Sequence, residues 1–316
     1  MDLALRAGRA RELVPVATGF RTLDRVLGGG LHPGELTLVG GVPGSGKTVV
    51  TLQWARNIAA AGGRAVYICY EHEEADLLMR LLALEMGELP DSEDPEIEAL
   101  RADVQRAASS GGRSLGEILE AEGAARRAFE RVEGYGERLW LLKAAGAHTG
   151  LDQLEEILSA HNGSRPVLFV DYLQKVAIHP EPPDEAEKVT RISEGLKDLA
   201  LFQAAPIVCV VASDLDGLRS RRLRLHHFRG SSALAYESDV ALVLNEKVNA
   251  VSKVHLAYDP LRAETFKSWV VFSVEKNRGG PNLVDLEFRK DFTHFRFDPE
   301  GGIVSEKLVD ERIFAE

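Results

Sequence analysis

The sequence predicts an α/β fold: a mostly parallel sheet with helices on both faces and an antiparallel hairpin at its C-terminal end. Three observations carry this. Short apolar, β-branched runs alternate with longer helical patterns through most of the chain. Those runs are apolar almost throughout, as strands buried on both faces must be. After residue 268 the helical patterns stop, and LVDLEFRKD and FTHFRFD alternate as a hairpin extending the sheet edge would.

In chain order, strands are predicted near 36–40 (LTLVG), 65–70 (AVYICY), 138–142 (RLWLL), 166–171 (PVLFVD), 206–212 (PIVCVVA), 239–244 (DVALVL) and 269–275 (WVVFSVE). Helices are predicted near 48–61, 73–86, 151–161 and 185–203. The helix from 151 has a start signal in Thr149, with Leu151, Leu154 and Leu158 marking one face. Residues 85–136 hold an acidic segment, ELPDSEDPEIE, and then Ala/Arg/Glu-rich patterns, read as a helical elaboration within the domain. Residues 1–14 read as an N-terminal arm or linker helix, 15–316 as one domain, and 300–316 as its acidic tail.

With 38 basic and 49 acidic residues the net charge is −11, and 45 % apolar content is ordinary for a soluble globular protein. No apolar run is long enough to span a bilayer, and MDLALRAGRARELV has no secretory core. A cytoplasmic protein without membrane contact is expected. Cys69 and Cys209 lie in strand-like runs and read as buried free thiols. Overall acidity argues against indiscriminate binding to polyanions, so nucleic-acid contact requires a local basic patch. The dense one is RSRRLRLHHFR at 219–229, with no acidic residue between Asp216 and Glu237.

GGVPGSGKT follows a strand and opens a helix, and within it Gly41, Pro43, Gly44, Ser45, Gly46, Lys47 and Thr48 span a G-x-x-x-x-G-K-[ST] motif. The glycines let backbone N–H groups turn onto phosphate oxygens, Lys47 reaches the β/γ-phosphates, and the Thr48 hydroxyl is a Mg²⁺ ligand. Asp171, ending the strand VLFVD, is the second metal-side candidate. Glu71 directly follows AVYICY, which places it at the same sheet edge as a candidate for activating water.

Several motifs then agree in order and spacing. TGFRTLDRVLGGGLHPGELTLVGGVPGSGKT, CYEHE, VDYLQKV, RISEGLKDLALFQAAPIVCVVASDL, HFRGSSALAYESDVALVL and EKNRGGP together resemble the RecA-like ATPase core of DnaB-type replicative helicases, over residues 15–298. RadA and KaiC belong to the same superfamily. The resemblance implies a RecA-like P-loop ATPase using ATP and Mg²⁺, with Lys47 and Thr48 as the P-loop pair, Asp171 on the metal and Glu71 as catalytic base. Lys276 and Arg278 match fingers that reach a neighbouring subunit's γ-phosphate, which implies a homo-oligomer, a hexamer by family expectation. Three features depart from the pattern: about fourteen residues precede the core, where DnaB proteins carry a helical collar that binds primase; the family's S-Q-L reads Ser213-Asp214-Leu215, making Asp214 an altered sensor candidate; and TLDRVLGGGLHPG and KNR are equally reminiscent of RadA and KaiC.

In this frame 219–229 follows a strand end where such motors carry a loop to single-stranded DNA. Arg219, Arg221, Arg222, Arg224 and Arg229 are then expected to be locally unpaired, their partners being phosphates. Lys175, Lys188 and Arg191 are weaker candidates for a second DNA-facing loop. The rival for the arginines is an acidic surface such as 91–98 of a neighbour. The function expected first is a DnaB-like ATP-dependent motor on single-stranded DNA, with a loader or primase as possible partners. Two rivals remain: a RadA- or KaiC-like recombination or regulatory ATPase without unwinding, and a nucleotide-gated scaffold.

Overall fold

The computed structural model describes residues 14–90, 97–109, 114–119, 123–161, 165–252 and 260–309. The expected arm therefore lies outside the described residues except for Val14. So do 91–96 of the acidic segment and the tail from 310.

Six parallel strands form the body of the sheet: β1 (Leu36–Gly41), β2 (Ala65–Cys69), β3 (Leu139–Lys143), β4 (Val167–Asp171), β5 (Ile207–Ala212) and β6 (Val240–Glu246). β7 (Trp269–Asn277), β8 (Val284–Asp291) and β10 (Gly302–Ile303) continue it antiparallel, in the order β10-β8-β7-β6-β1-β5-β4-β2-β3, while β9 (Arg296–Phe297) pairs with β8. All seven predicted strands form, and the hairpin extends the edge as expected. Antiparallel pairing begins at β7, which runs against β6.

Residues alternate between two cores because successive side chains of a strand point to opposite faces. In β1, Val39 enters one cluster with Trp54, Phe20, Phe272 and Phe288. Leu36 and Leu38 enter the other, with Leu154, Ile192 and Leu196. The first face is covered by α1 (Arg21–Val26), α2 (Lys47–Ala60) and α3 (Glu74–Met86). The second is covered by α7 (Leu151–Ala160) and α8 (Glu185–Gln203). Between them in sequence come α4 (Ile97–Ser109), α5 (Leu115–Ile118) and α6 (Ala124–Gly136). These pack with α3 around Met79, Leu82, Leu100, Val104 and Ala128.

The start signal of α7 is corrected. Gly150 is its N-cap and Gln153 Oε1 accepts from the Gly150 N–H at 2.9 Å. Thr149 Oγ1 instead accepts from Ala145 N, closing the preceding turn. The remaining elements are short: α9 (Leu215–Arg219), α10 (Ala233–Glu237), α11 (Lys247–Ala250) and α12 (Pro260–Phe266).

Candidate active site

Parallel register brings four strand ends to one edge. Gly41 of β1 lies opposite Ala212 of β5, and Asp171 of β4 lies opposite Cys69 of β2. The chain leaves β1 into Gly41–Gly46 and enters α2 at Lys47. Gly46 is the N-cap of α2, with φ +94°, and a Cβ there would meet the Phe292 and Phe297 rings at 2.7 Å. Gly44 also has positive φ, +80°. Glycine at both positions turns the loop at no steric cost and leaves backbone N–H groups and the positive end of α2 over the edge. Lys47 Nζ donates to Gly41 O at 2.8 Å and Val42 O at 3.0 Å. Burial pushes its ammonium below the ordinary pKa, and Asp171 and Glu71 pull it back.

Asp171 is buried. Its Oδ2 accepts from the Thr48 hydroxyl at 2.7 Å and from the Tyr67 hydroxyl at 2.9 Å. Burial raises the pKa of this carboxyl, and the two hydroxyl donors oppose the rise. Glu71 is exposed at the rim of a cavity of about 500 Å³ that also takes in Lys47, Thr48 and Asp171. Pro43, Gly44 and Gly46 of the predicted loop also line it, while Arg80, Phe292 and Phe295 were not legible as site residues in the sequence. Arg80, on α3, reaches it with Nε buried and unbonded among the described residues, its guanidinium 5.3 Å from the Phe295 ring. Phe292 and Phe295 reach in from the turn between β8 and β9. Helix spacing hides Arg80 among ordinary surface arginines, and the aromatics read as hairpin core. Tyr67, inside β2, donates its hydroxyl to Asp171.

These residues fit a nucleoside triphosphate with a divalent cation. A glycine cradle, a helix start and two cations, Lys47 and Arg80, suit phosphate charge. The hydroxyl of Thr48 and the carboxylate of Asp171, already 2.7 Å apart, suit a hard metal ion that takes oxygen ligands.

Lys276 and Arg278 sit at the opposite edge. Lys276 pairs with Ala241, which is level with Leu38 of β1, roughly 10 Å of strand from Gly41. The Lys276 side chain runs further away, donating to Ala235 O at 2.6 Å, Tyr236 O at 3.1 Å and Ser238 O. Burial and the neighbouring Arg278 lower its pKa. Arg278 pairs with Asp239 and donates to Tyr236 O. Neither side chain approaches the cavity of its own chain.

The arginine run is corrected. Arg222 is buried on Asp285 at 2.6 Å and also bonds Ser273 Oγ. Arg224 pairs with Glu275 at 2.6 Å, and Arg229 with Glu185 at 2.7 Å. The acids are absent from the local sequence because they come from β7, β8 and α8. The segment runs across the sheet with Leu223 and Phe228 in the second core, so Arg222 and Arg224 face the acids while Leu223 faces inward. Phe228 lies so close to Gly40 that a Cβ there would be 2.0 Å from it. Arg219 stays exposed, and Arg221 is half-buried with a 3.3 Å bond to Val251 O. An R-L-R-L alternation was the available signal for such a two-faced strip. Asp214 caps α9, its Oδ1 accepting from Gly217 N at 2.7 Å. Of the weaker candidates, Lys175 is exposed and Arg191 pairs with Glu187 one turn away.

The DnaB-like helicase C-terminal domain family matches residues 15–109 and 151–297. The replicative DNA helicase DnaB of Treponema pallidum (strain Nichols) is 28% identical over 291 residues, 90% of this chain and 56% of that protein. The DNA repair protein RadA of Mycobacterium tuberculosis (strain ATCC 25618 / H37Rv) is 43% identical over 77 residues, 24% of this chain and 15% of that protein. The chain thus spans about half of the one relative and a small part of the other. Among solved structures, the ATPase domain of G40P superposes with a TM-score of 0.72 at 18% identity, covering 94% of this chain and 97% of that one. A DnaB-like replicative helicase, described with its interactions with primase, gives 0.69 at 17% identity, covering 94% and 66%.

Proposed function

Since the chain belongs to the DnaB-like helicase C-terminal domain family, we propose that it is the ATP-hydrolysing motor of an oligomeric helicase that moves on single-stranded DNA. The observation that carries this reading is the division of the site between two edges of one sheet. Phosphate-binding groups lie at one edge and the two finger candidates at the other. A chain built this way completes its site with a neighbour, head to tail, and a head-to-tail contact closes into a ring when its rotation allows.

In each site the loop Gly41–Gly46 and Lys47 hold the β- and γ-phosphates of ATP. Thr48 and Asp171 hold Mg²⁺, which when bound neutralises phosphate charge. Glu71, at the rim, takes a proton from the attacking water. Arg80 supplies a second positive charge from the same chain. Lys276 and Arg278 of the next subunit meet the charge that spreads over the transferring phosphoryl group, a contribution of roughly 10³-fold or more in rate. Asp214, turned into α9, couples to nucleotide through the position of that helix and not through a direct phosphate contact.

DNA contact falls to the residues of the basic segment that remain available, Arg219 and Arg221, beside Leu215 and Leu218, which are exposed on α9. The paired Arg222, Arg224 and Arg229 shape the segment. A hexameric ring, a cytoplasmic setting and contact with a primase or loader go with this reading. No helix among the described residues is long and apolar enough to cross a membrane. The local likeness to RadA favours a second reading, a recombination ATPase that moves or remodels strands without unwinding them.

The test is steady-state ATP hydrolysis with and without single-stranded DNA over a salt series, beside a forked-duplex unwinding assay and Glu71→Gln. DNA-stimulated hydrolysis that fades with salt, with strand separation, and with both lost in Glu71→Gln, is expected. Stimulated hydrolysis without strand separation would select the RadA-like reading. Hydrolysis indifferent to DNA would sink both.

A further inference from the structure

Asp239, at the foot of β6, holds more partners than a strand start requires. Its Oδ2 accepts from Leu36 N at 2.8 Å and from Lys197 Nζ at 2.7 Å, while Oδ1 accepts from Arg278 at 3.3 Å. Its backbone carbonyl accepts from Arg278 N at 2.9 Å. Asp239 and Lys197 are nearly buried; the Arg278 side chain is 53% exposed. Lys197 is itself anchored to Gly34 O at 2.8 Å.

We propose that Asp239, neutralised by Lys197, is a positioning residue that holds Arg278 at rest and lets it go to the neighbouring subunit's phosphate. This rests on the reading of Arg278 as a finger. The physical case lies in what remains when Arg278 leaves. A buried carboxylate stripped of its one counter-ion is strongly disfavoured. Asp239 is not stripped: Lys197 and the Leu36 N–H stay on the other oxygen. Arg278 is therefore held at Asp239 by the longer and more exposed of that carboxylate's two ion pairs, and beside it by a bond to Tyr236 O, contacts that solvent and a stronger anion can replace. Its backbone remains pinned to Asp239 O, so the side chain swings from a fixed root. Lys197 sets how tightly the finger is parked.

The experiment compares Lys197→Met, Lys197→Arg, Asp239→Asn, the double variant Lys197→Met/Asp239→Asn, and Arg278→Ala in the oligomer, measuring kcat and KM for ATP. Without Lys197, Asp239 loses its nearest cation, and its charge, shared with the more distant Lys276, falls more fully on Arg278. The expected result is a kcat lowered about five- to tenfold with KM unchanged, because the P-loop is at the other edge. Lys197→Arg restores kcat, and adding Asp239→Asn to Lys197→Met raises kcat again by releasing the finger. Lys197→Gln, which keeps a neutral donor toward Gly34 O, carries the same expectation should Lys197→Met fail to fold. A double variant worse than Lys197→Met, or a Lys197→Met enzyme with wild-type kcat beside an inactive Arg278→Ala, would overturn the positioning role alone. Wild-type hydrolysis by Arg278→Ala would remove the finger and the positioning role together.

Discussion

Tyr67 and Asp171 meet across 104 residues of sequence, and two hydroxyls converge on one carboxylate oxygen. The arrangement keeps a buried acid ionisable, because both donors favour its charged form while burial works against it. Tyr67→Phe removes one donor and also the contact with Thr51, which is 2.9 Å from the phenol. The variant is expected to lose about 1 kcal/mol of stability, read by thermal denaturation. The Asp171 pKa moves further up, so a larger fraction is protonated at any pH below it. The acid limb of the kcat/KM profile then shifts to higher pH, and Mg²⁺ titrations show weaker activation. An unchanged acid limb would show that Asp171 does not feel the phenol. In sequence, Tyr67 is one aromatic in a strand, and nothing local distinguishes a core ring from a ring whose hydroxyl has a task.

At the scale of elements, the segment from α9 to Phe228 separates arginines that hold the fold from those left for a ligand. Arg222→Ala leaves Asp285 without its cation at a largely buried contact, and a loss of about 3 kcal/mol is expected. Arg219→Ala, on the exposed last turn of α9, should change stability by less than about 0.5 kcal/mol. It should weaken single-stranded DNA binding at every sequence and reduce the salt slope by about one contact. Chemical denaturation and salt-dependent binding isotherms check the pair. The opposite pattern, with Arg219 structural and Arg222 silent in denaturation, would refute the assignment. Composition exposed the cluster, but pairing is a matter of which strands lie beneath it.

For the molecule as a whole, the finger candidates Lys276 and Arg278 lie at the sheet edge opposite the phosphate loop of their own chain. Lys47→Ala chains keep fingers and lose the phosphate site; Arg278→Ala chains do the reverse. Each alone is expected to be inactive. Mixed in equal amounts and allowed to exchange, they should recover activity at about a quarter of the interfaces, those pairing an intact loop with an intact finger. No recovery, in rings shown by native mass spectrometry to be mixed, would contradict a site shared between subunits. The polarity of the sheet makes this prediction possible, since β7 returns antiparallel and carries Lys276 away from the loop that β1 feeds.

The sequence by itself determined the strands, the major helices, the phosphate loop and the candidates at the strand ends. Each is a local pattern: apolar runs of strand length, a glycine loop between strand and helix, an acid directly after a buried run. Only the tertiary structure decided which arginines were already paired, that Gly150 and not Thr149 caps α7, that Asp214 caps α9, and that Arg80, Phe292, Phe295 and Tyr67 join the site. It also decided that Asp239 holds a finger candidate. These depend on register between segments far apart in the chain, and a carboxylate finds its cation through space, whatever separates them in sequence.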